Sequence, residues 1–372
     1  MQATRRRLAA VLVTITCAVG VAACGDDDGD DDTNASATPA AAATEDAATQ
    51  LAPVKDFLLE HTASLNEDAT RLRESAEEYH AMAEAVDFDY AELLETKRDE
   101  VAAFVDQAQK DFAEANPAYE EMEGVVAGVP SLADFDVIID AGADKSDPEN
   151  AAPIKLETPA GKTYDRPGNF NYLIETSAFG TEPKFAAKGV EPDLDGDGEV
   201  SFGESVPDAD FYVTAAREFE KTTQELDAAA QEWIPSAQDA FTALVVMTPT
   251  MSEYFDAWKN SRFVAGARAQ EKAFVAASRL QDIADILGGL QTVYTGVKPS
   301  IASVDEAQAT QTEQQLDELT TFAERLRDEE ADGKKFTADE AETLGAEAQT
   351  RAEAIAGQVS QAAGQLDIQL ES

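Results

Sequence analysis

The apolar residues of this chain recur at the spacing of an α-helix over most of its length. Near the start of the body, intervals of three, four and seven residues separate Val54, Phe57, Leu58, Leu65 and Leu72. This spacing places their side chains on one helical face. Similar series run through residues 94–112, 316–326 and 344–366. Strand-like alternation does not stand out, so the sequence predicts an all-α protein.

Local signals mark where some of these helices begin and end. Thr337 and Glu340 have the spacing of a capping box, which predicts the start of a last helix. Gly333 is typical of a stop for the helix before it. A further helix is predicted over residues 211–234, and others after Pro235 and Phe263.

The middle of the chain, residues 131–207, is rich in Gly, Pro, Asp and Asn and shows little periodicity. An irregular segment of this length inside a compact protein is usually functional. We therefore expect two helical bundle halves, residues 51–130 and 208–372, on either side of an irregular central segment.

The first residues predict export. Arginines at positions 5–7 precede an uncharged, mostly apolar stretch over residues 8–23, which is typical of a signal peptide, residues 1–23. Val21-Ala-Ala-Cys24 resembles a bacterial lipobox, so we expect Cys24 to be acylated and to hold the protein on a membrane. A plain signal peptide with an incidental cysteine is the alternative.

Residues 24–50 begin with six aspartates within residues 26–32 and lack large apolar side chains, which predicts a disordered tether between the lipid and the body. The whole chain has a formal net charge of −46. A surface this acidic repels nucleic acid and favours cations or basic partners. We expect an extracytoplasmic, membrane-anchored protein with no nucleic-acid partner.

One loop, residues 193–204, matches the EF-hand calcium pattern at each diagnostic position. Gly198 stands where the loop must turn sharply. The predicted calcium ligands, at loop positions 1, 3, 5, 7, 9 and 12, are Asp193, Asp195, Asp197, Glu199 through its backbone carbonyl, Ser201 and Glu204. An acidic loop without a bound ion is the alternative.

The residues before this loop depart from a standard EF-hand. Pro192 precedes it directly, and Gly189 lies close by, so a helix leading into the loop is not expected. We therefore predict a structural calcium clip and not a sensor that moves two helices.

Several segments resemble imelysin-like proteins. They are Tyr119-Glu-Glu-Met-Glu123-Gly, Ser131-Leu-Ala-Asp-Phe-Asp136, Trp258-Lys-Asn-Ser-Arg-Phe-Val264 and Phe274-Val-Ala-Ala-Ser-Arg-Leu-Gln-Asp-Ile283. The resemblance implies two helical bundles around a cleft. It also implies a role like that of extracytoplasmic components of ferrous-iron uptake, or of proteins once classed as peptidases, with an iron permease as a possible partner.

The family's metal motif, Gly-x-His-x-x-Glu, is not present. The two histidines, His61 and His80, are not followed by glutamate at the required spacing. The resemblance instead points to Glu175, with Asn171 in place of a ligand histidine. The spacing of Glu120 and Glu123 puts both on one helical face, so the candidate iron ligands are Glu120, Glu123 and Glu175.

Hydrolytic chemistry has little support, because the HExxH, GxSxG and catalytic-cysteine patterns are not found. We expect a non-catalytic metal- or ligand-binding lipoprotein of an iron-uptake system. The alternative is a structural or polysaccharide-interacting envelope lipoprotein whose only metal is calcium.

Overall fold

The computed structural model describes residues 39–371, with side chains described from residue 50. Eleven α-helices and two short strands lie in this range. The helices are α1 (Pro39–Glu84), α2 (Tyr90–Val126), α3 (Ala133–Asp136), α4 (Phe170–Ala178), α5 (Ala209–Glu232), α6 (Ala237–Met247), α7 (Met251–Asn260), α8 (Arg262–Ala265), α9 (Arg279–Val304), α10 (Glu306–Ala331) and α11 (Ala338–Gln365). The predicted all-α helical bundle is confirmed.

Side-chain caps explain several of the helix boundaries. The Asp89 carboxylate accepts hydrogen bonds from two backbone N–H groups in the first turn of α2. Ser236 and Asp239 form a reciprocal capping box at the start of α6. The capping box predicted at Thr337 and Glu340 is present at α11.

The long helices pack in two groups that share α9. α1 packs mainly against α2 and α5, and α9 packs against α2 on one side and α10 on the other. α11 packs against α7, α10 and α6. Buried apolar side chains from all of these helices form one continuous core.

α2 and α9 approach each other closely because two glycines face the contact. A Cβ at Gly289 would lie 2.1 Å from the backbone oxygen of Glu121, and one at Gly124 would lie 2.9 Å from Leu290 Cδ2. Any side chain at Gly289 would force the two backbones apart. The close contact brings the first turns of α9 beside the acidic end of α2.

The central segment is more ordered than the sequence predicts. Strands β1 (Lys155–Glu157) and β2 (Thr163–Asp165) form an antiparallel hairpin in which Leu156 pairs with Tyr164. α4 also lies within this segment, and a π-helical turn over Val137–Ala141 follows α3. The hairpin was not predicted because three residues are too few to display an alternating pattern.

Residues 39–50 of the expected tether over residues 24–50 belong to α1. The alanines at positions 40–43 have high helix propensity, which the tether prediction neglected. Residues 1–38, including the predicted signal peptide and Cys24, lie outside the described residues. Within the described range, no helix combines the length and apolarity needed to cross a bilayer.

We predict that Gly289→Ala destabilises the protein by about 1–3 kcal/mol, since the new methyl group must displace the backbone of α2. Gly288→Ala is the matched control, because a Cβ there meets no atom within 4 Å. The control should be neutral or stabilising by up to about 1 kcal/mol through helix propensity. Urea unfolding of both variants measures the difference, and equal stabilities would contradict the close-contact argument.

Candidate functional site

Two acidic side chains near the C-terminal end of α2 face the protein interior. Glu120 is fully buried, and Glu123, one helical turn later, is 3% exposed. Their spacing of three residues places both on one helical face, as predicted, and this face meets α9. Buried carboxylates need compensating partners, so the groups around them determine what this site can do.

Asp140 joins these two glutamates from the π-helical turn. One carboxylate oxygen from each of Glu120, Glu123 and Asp140 lies within 4.8 Å of the other two. We call these three residues the carboxylate trio. A set of three convergent oxygens is the donor chemistry that hard cations prefer.

Arg279, the first residue of α9, is the cationic group that contacts the trio. Its Nη1 lies 3.3 Å from both carboxylate oxygens of Glu120 and 3.0 Å from Asp282 Oδ2, and its Nη2 lies 3.4 Å from Asp140 Oδ2. The rings of Phe274 and Tyr254 lie 4.1 and 4.6 Å from the guanidinium carbon. These contacts hold Arg279 in one position between α2 and the π-helical turn.

The cluster contains more negative than positive groups. Its buried carboxylates are Glu120, Glu123, Asp136, Asp140 and Asp282. Burial, followed by repulsion from Asp140, raises the pKa of Glu123 to about 7. Burial also raises the pKa of Glu120 well above its usual range. The cluster therefore holds protons near neutral pH when no cation other than Arg279 is present.

Two hydroxyl groups supply hydrogen bonds to the cluster. Tyr254 Oη donates to Glu123 Oε1 at 2.6 Å, and Tyr119 Oη donates to Asp136 Oδ1 at 2.7 Å. The second oxygen of Glu123, Oε2, is buried and receives no hydrogen bond from an N–H or hydroxyl group among the described residues, so only a carboxyl proton shared with Glu120 or a bound cation can satisfy it. A buried carboxylate oxygen left without a partner is unfavourable, and a bound cation would remove that penalty.

A cavity of about 360 Å³ lies beside the trio and shares Asp140 as part of its wall. Its wall also includes carboxylates, amides and an aromatic ring, contributed by Asp144, Glu175, Glu271, Asn169, Asn171 and Phe274. Asn171 Nδ2 donates to Asp140 Oδ1 at 3.1 Å, which orients that carboxylate. The cavity is therefore acidic and leads to a member of the trio.

Glu175 lines the cavity but is not part of the trio. Its Oε2 accepts a hydrogen bond from the backbone N–H of Phe274 at 2.6 Å, and its Oε1 accepts from Val275 and Ala276 at 2.8 and 2.9 Å. Burial raises the pKa of Glu175 to about 7, although these three hydrogen bonds act in the opposite direction. The structure thus places Glu120 and Glu123 together and gives Glu175 separate partners.

If Glu175 is the motif glutamate, Tyr172 occupies the position of the motif histidine. The His-x-x-Glu spacing requires the residue three before the glutamate, whereas Asn171 is four before it. Tyr172 Oη donates to Glu182 Oε2 at 3.0 Å. The two histidines lie elsewhere, with His61 bonded to Glu121 and His80 to Asp210.

The sequence did not predict Asp140 or Asp282 as members of this site. The available signal for Asp140 was an acidic residue inside the apolar run Val137-Ile-Ile-Asp-Ala141. A charged residue in such a run has to find a partner in the interior. Its partners on α2 and α9 are far away in sequence, so the run alone could not name them.

The loop at 193–204 forms a second acidic group on the surface. Carboxylate oxygens of Asp193, Asp195 and Asp197 lie within 4.8 Å of one another. Glu204 folds back across the loop and accepts hydrogen bonds from the N–H groups of Leu194, Asp195 and Ser201. Gly198 has a φ of +90°, which suits the sharp turn.

The flanks of this loop differ from those of an EF-hand, as Pro192 predicted. Between the 3₁₀ turn Pro183–Phe185 and α5, the structure has no helix. Glu199 and Ser201 are exposed. Phe202 packs under the Arg262 guanidinium at 3.2 Å and stacks on Phe179. Gln109 Nε2 donates to the backbone oxygen of Gly203 at 2.7 Å, and Leu194 is buried, so several contacts hold the loop against the body.

The fold and the cluster define an all-α helical-bundle protein with a buried acidic site. Residues 178–359 match the model of the Imelysin family, which carries a peptidase designation. The match supports an imelysin-like protein and, in general terms, an imelysin-like function; it includes Arg279 and Asp282 but not the carboxylate trio. A search of curated proteins found no match.

We predict that the stability of the metal-free protein falls as pH rises between about 4.5 and 7, and that Glu123→Gln reduces this fall. The folded-state pKa of Glu123 lies above its ordinary value, so the folded state binds more protons than the unfolded state in this window. The variant should lower the slope by up to about 1.4 kcal/mol per pH unit.

Urea unfolding with a chelator present, over a pH series, measures this slope. Glu253→Gln removes the same charge from an exposed position and is the control. Parallel profiles for the wild type and Glu123→Gln would contradict the assignment of a proton to Glu123.

Proposed function

We propose that this protein is a non-catalytic, imelysin-type cation-binding protein whose ligand is a divalent metal ion held by Glu120, Glu123 and Asp140. The observation that carries the proposal is the convergence of three buried carboxylates, in which Oε2 of Glu123 receives no hydrogen bond from an N–H or hydroxyl group of the described residues. A divalent ion would satisfy this oxygen and replace protons on the neighbouring carboxylates.

The charge of the cavity supports a cation over an anionic ligand. Asp140, Asp144, Glu175 and Glu271 all line the cavity. An anionic chelate or an acidic saccharide would meet repulsion there, whereas a free or hydrated cation would be attracted. This favours a metal ion that arrives without an anionic carrier.

The donor chemistry supports a hard ion. All three trio ligands are carboxylates, which suit magnesium, manganese and high-spin ferrous iron better than zinc or copper(I). The imelysin resemblance makes ferrous iron the proposed cargo and an iron permease the proposed partner. Mn²⁺ is a practical substitute in binding experiments, because it shares the preference for oxygen ligands and is stable in air.

The proposed location is the outer face of a membrane. Support comes from the sequence pattern of the signal peptide, residues 1–23, and from Cys24 as the acylation site. The strongly negative charge suits a protein that collects cations near a membrane.

We also propose that residues 193–204 bind calcium as a structural clip. The convergence of Asp193, Asp195 and Asp197 and the folded-back position of Glu204 support this role. The proposed ion would add ligands across a loop that otherwise relies on exposed hydrogen bonds.

In the alternative function, the carboxylate trio binds no metal. In that case the protein is a structural envelope lipoprotein, or one that contacts acidic polysaccharide through bridging calcium. The exposed aspartates of the calcium loop favour this alternative, because they are accessible to a second molecule.

Metal binding with calcium already present separates the two functions. We predict that the wild type binds one Mn²⁺ in equilibrium dialysis against Mn²⁺ and saturating Ca²⁺. Glu123→Gln should weaken this binding by about tenfold or more, because it removes one charged ligand. The exposed control Glu253→Gln should bind as the wild type does. Mn²⁺ binding that is unaffected by Glu123→Gln would support the calcium-only alternative.

We predict that a chelator lowers the melting temperature of the wild type by several degrees, in line with the loss of about 1–3 kcal/mol of ligand stabilisation. Glu204→Gln should abolish this calcium-dependent difference. Glu199→Gln is the matched control, because the pattern uses only the backbone carbonyl of Glu199. Differential scanning calorimetry with and without calcium measures the effect. Equal melting temperatures in both conditions for the wild type would rule out the clip.

A further inference from the structure

A ten-residue segment covers one side of the buried cluster. Residues 269–278, which we call the strap, run from the 3₁₀ turn Gly266–Arg268 to the start of α9 and contain neither helix nor strand. Glu271, Ala273 and Phe274 of the strap line the cavity. Glu120 and Glu123 are almost fully buried, so an ion that passes from the cavity to these two glutamates requires a movement of the groups that cover them.

The strap's middle is held by a side chain and not by a backbone ladder. Three consecutive N–H groups, those of Phe274, Val275 and Ala276, donate to the single carboxylate of Glu175. These hydrogen bonds are strongest when Glu175 is ionised, because an ionised acceptor binds N–H groups more strongly than a neutral one. One carboxylate on α4 therefore determines the conformation of three strap residues.

The conformation held in this way is strained. Phe274 has a φ of +55°, in the left-handed region that an aromatic residue rarely adopts. Such a conformation persists only where surrounding contacts enforce it. Loss of the Glu175 contacts would let Phe274 relax toward an ordinary backbone conformation.

Phe274 links the strap to the cluster. Its ring lies 4.1 Å from the guanidinium carbon of Arg279, and its side chain also lines the cavity. Arg279 in turn contacts Glu120 and Asp140 of the trio. Movement of Phe274 would therefore open the side of the cluster on which Arg279 lies.

A second, outer attachment joins the strap to the turn that follows α4. Lys272 Nζ lies 2.6 Å from Glu182 Oε2, and Thr181 Oγ1 donates to the backbone oxygen of Lys272 at 2.6 Å. The Lys272 side chain is about half exposed, so solvent weakens this ion pair. At the start of the strap, the N–H groups of Gln270 and Glu271 also donate to the backbone oxygen of Asn260, at 2.9 and 3.3 Å. Of these attachments, the buried Glu175 contact holds the residues next to the cluster.

We propose that the strap gates access to the carboxylate trio and that Glu175 is the positioning residue that keeps it closed. The gating role rests on the proposed cation site. The role of Glu175 in holding the strap in place does not depend on that site. Glu175 thus acts on the ion through the strap, and the three trio residues are the ligands.

Hydrogen exchange of the metal-free protein, at a pH above 7 where Glu175 is ionised, tests whether this residue holds the strap in place. In Glu175→Gln the amide group offers one acceptor oxygen in place of a carboxylate, so the amides of residues 274–276 should exchange about tenfold faster or more. Glu271→Gln removes a charge from the same cavity without touching these amides and should leave their exchange unchanged. Unchanged exchange in Glu175→Gln would overturn the latch.

Stopped-flow binding of Mn²⁺ tests the gate. For Glu175→Gln, association and dissociation should both accelerate by about tenfold while Kd changes by less than about threefold, because a gate changes both rates together. A weaker Kd with an unchanged association rate would overturn the gate and make Glu175 a ligand.

Lys272→Met removes only the ion pair with Glu182, leaves the Thr181 hydrogen bond in place, and provides a milder variant if Glu175→Gln unfolds. It should accelerate Mn²⁺ association and dissociation by a smaller factor. Unchanged rates, together with unchanged exchange of the strap amides, would contradict the gating role of the strap. If the wild type binds no Mn²⁺ that depends on Glu123, the cation function fails, while hydrogen exchange still decides whether Glu175 latches the strap.

Discussion

The ion pairs of Arg279 join three separate parts of the chain. Through one guanidinium, the start of α9 is tied to Glu120 on α2, to Asp140 in the π-helical turn and to its own neighbour Asp282. Removing one partner of a buried ion pair commonly costs about 3–5 kcal/mol, since the other charge is left without compensation. The same group of charges therefore maintains the packing of the bundle and shapes the candidate site.

Much of the helical architecture could be predicted because the relevant signals are local. Apolar residues at helical spacing, such as Leu58, Leu65 and Leu72, predicted the buried face of α1, and all three are buried. The capping box at Thr337 was also correct. The hairpin of β1 and β2 could not be predicted in this way, because three-residue strands carry no clear period. The start of α1 at Pro39 was not predicted, because the acidic, polar composition of this region indicated disorder despite the high helix propensity of its alanines.

The candidate site was predictable only where its residues are neighbours in sequence. The spacing of Glu120 and Glu123 indicated a shared helical face. The loop pattern predicted that Asp193, Asp195 and Asp197 lie close together. Asp140 and Arg279 join the site through tertiary contacts that no local pattern specifies. The family resemblance pointed to Glu175, which lies near the cluster. The hydrogen-bond partners of Glu175, however, are backbone groups about a hundred positions later in the chain. Its contacts, and therefore its role, depend on where the strap passes.

The missing side chain at Gly289 limits how this sequence can diverge. The space beside the Glu121 carbonyl admits only a hydrogen atom, so substitution at this position would separate the two helices that supply the acidic groups. Relatives that retain the cluster should therefore retain glycine at the equivalent position, even where surface residues differ widely. A survey of homologues could use that glycine, together with the paired glutamates and the arginine, to separate chains able to assemble this interior from those that share only the helical scaffold.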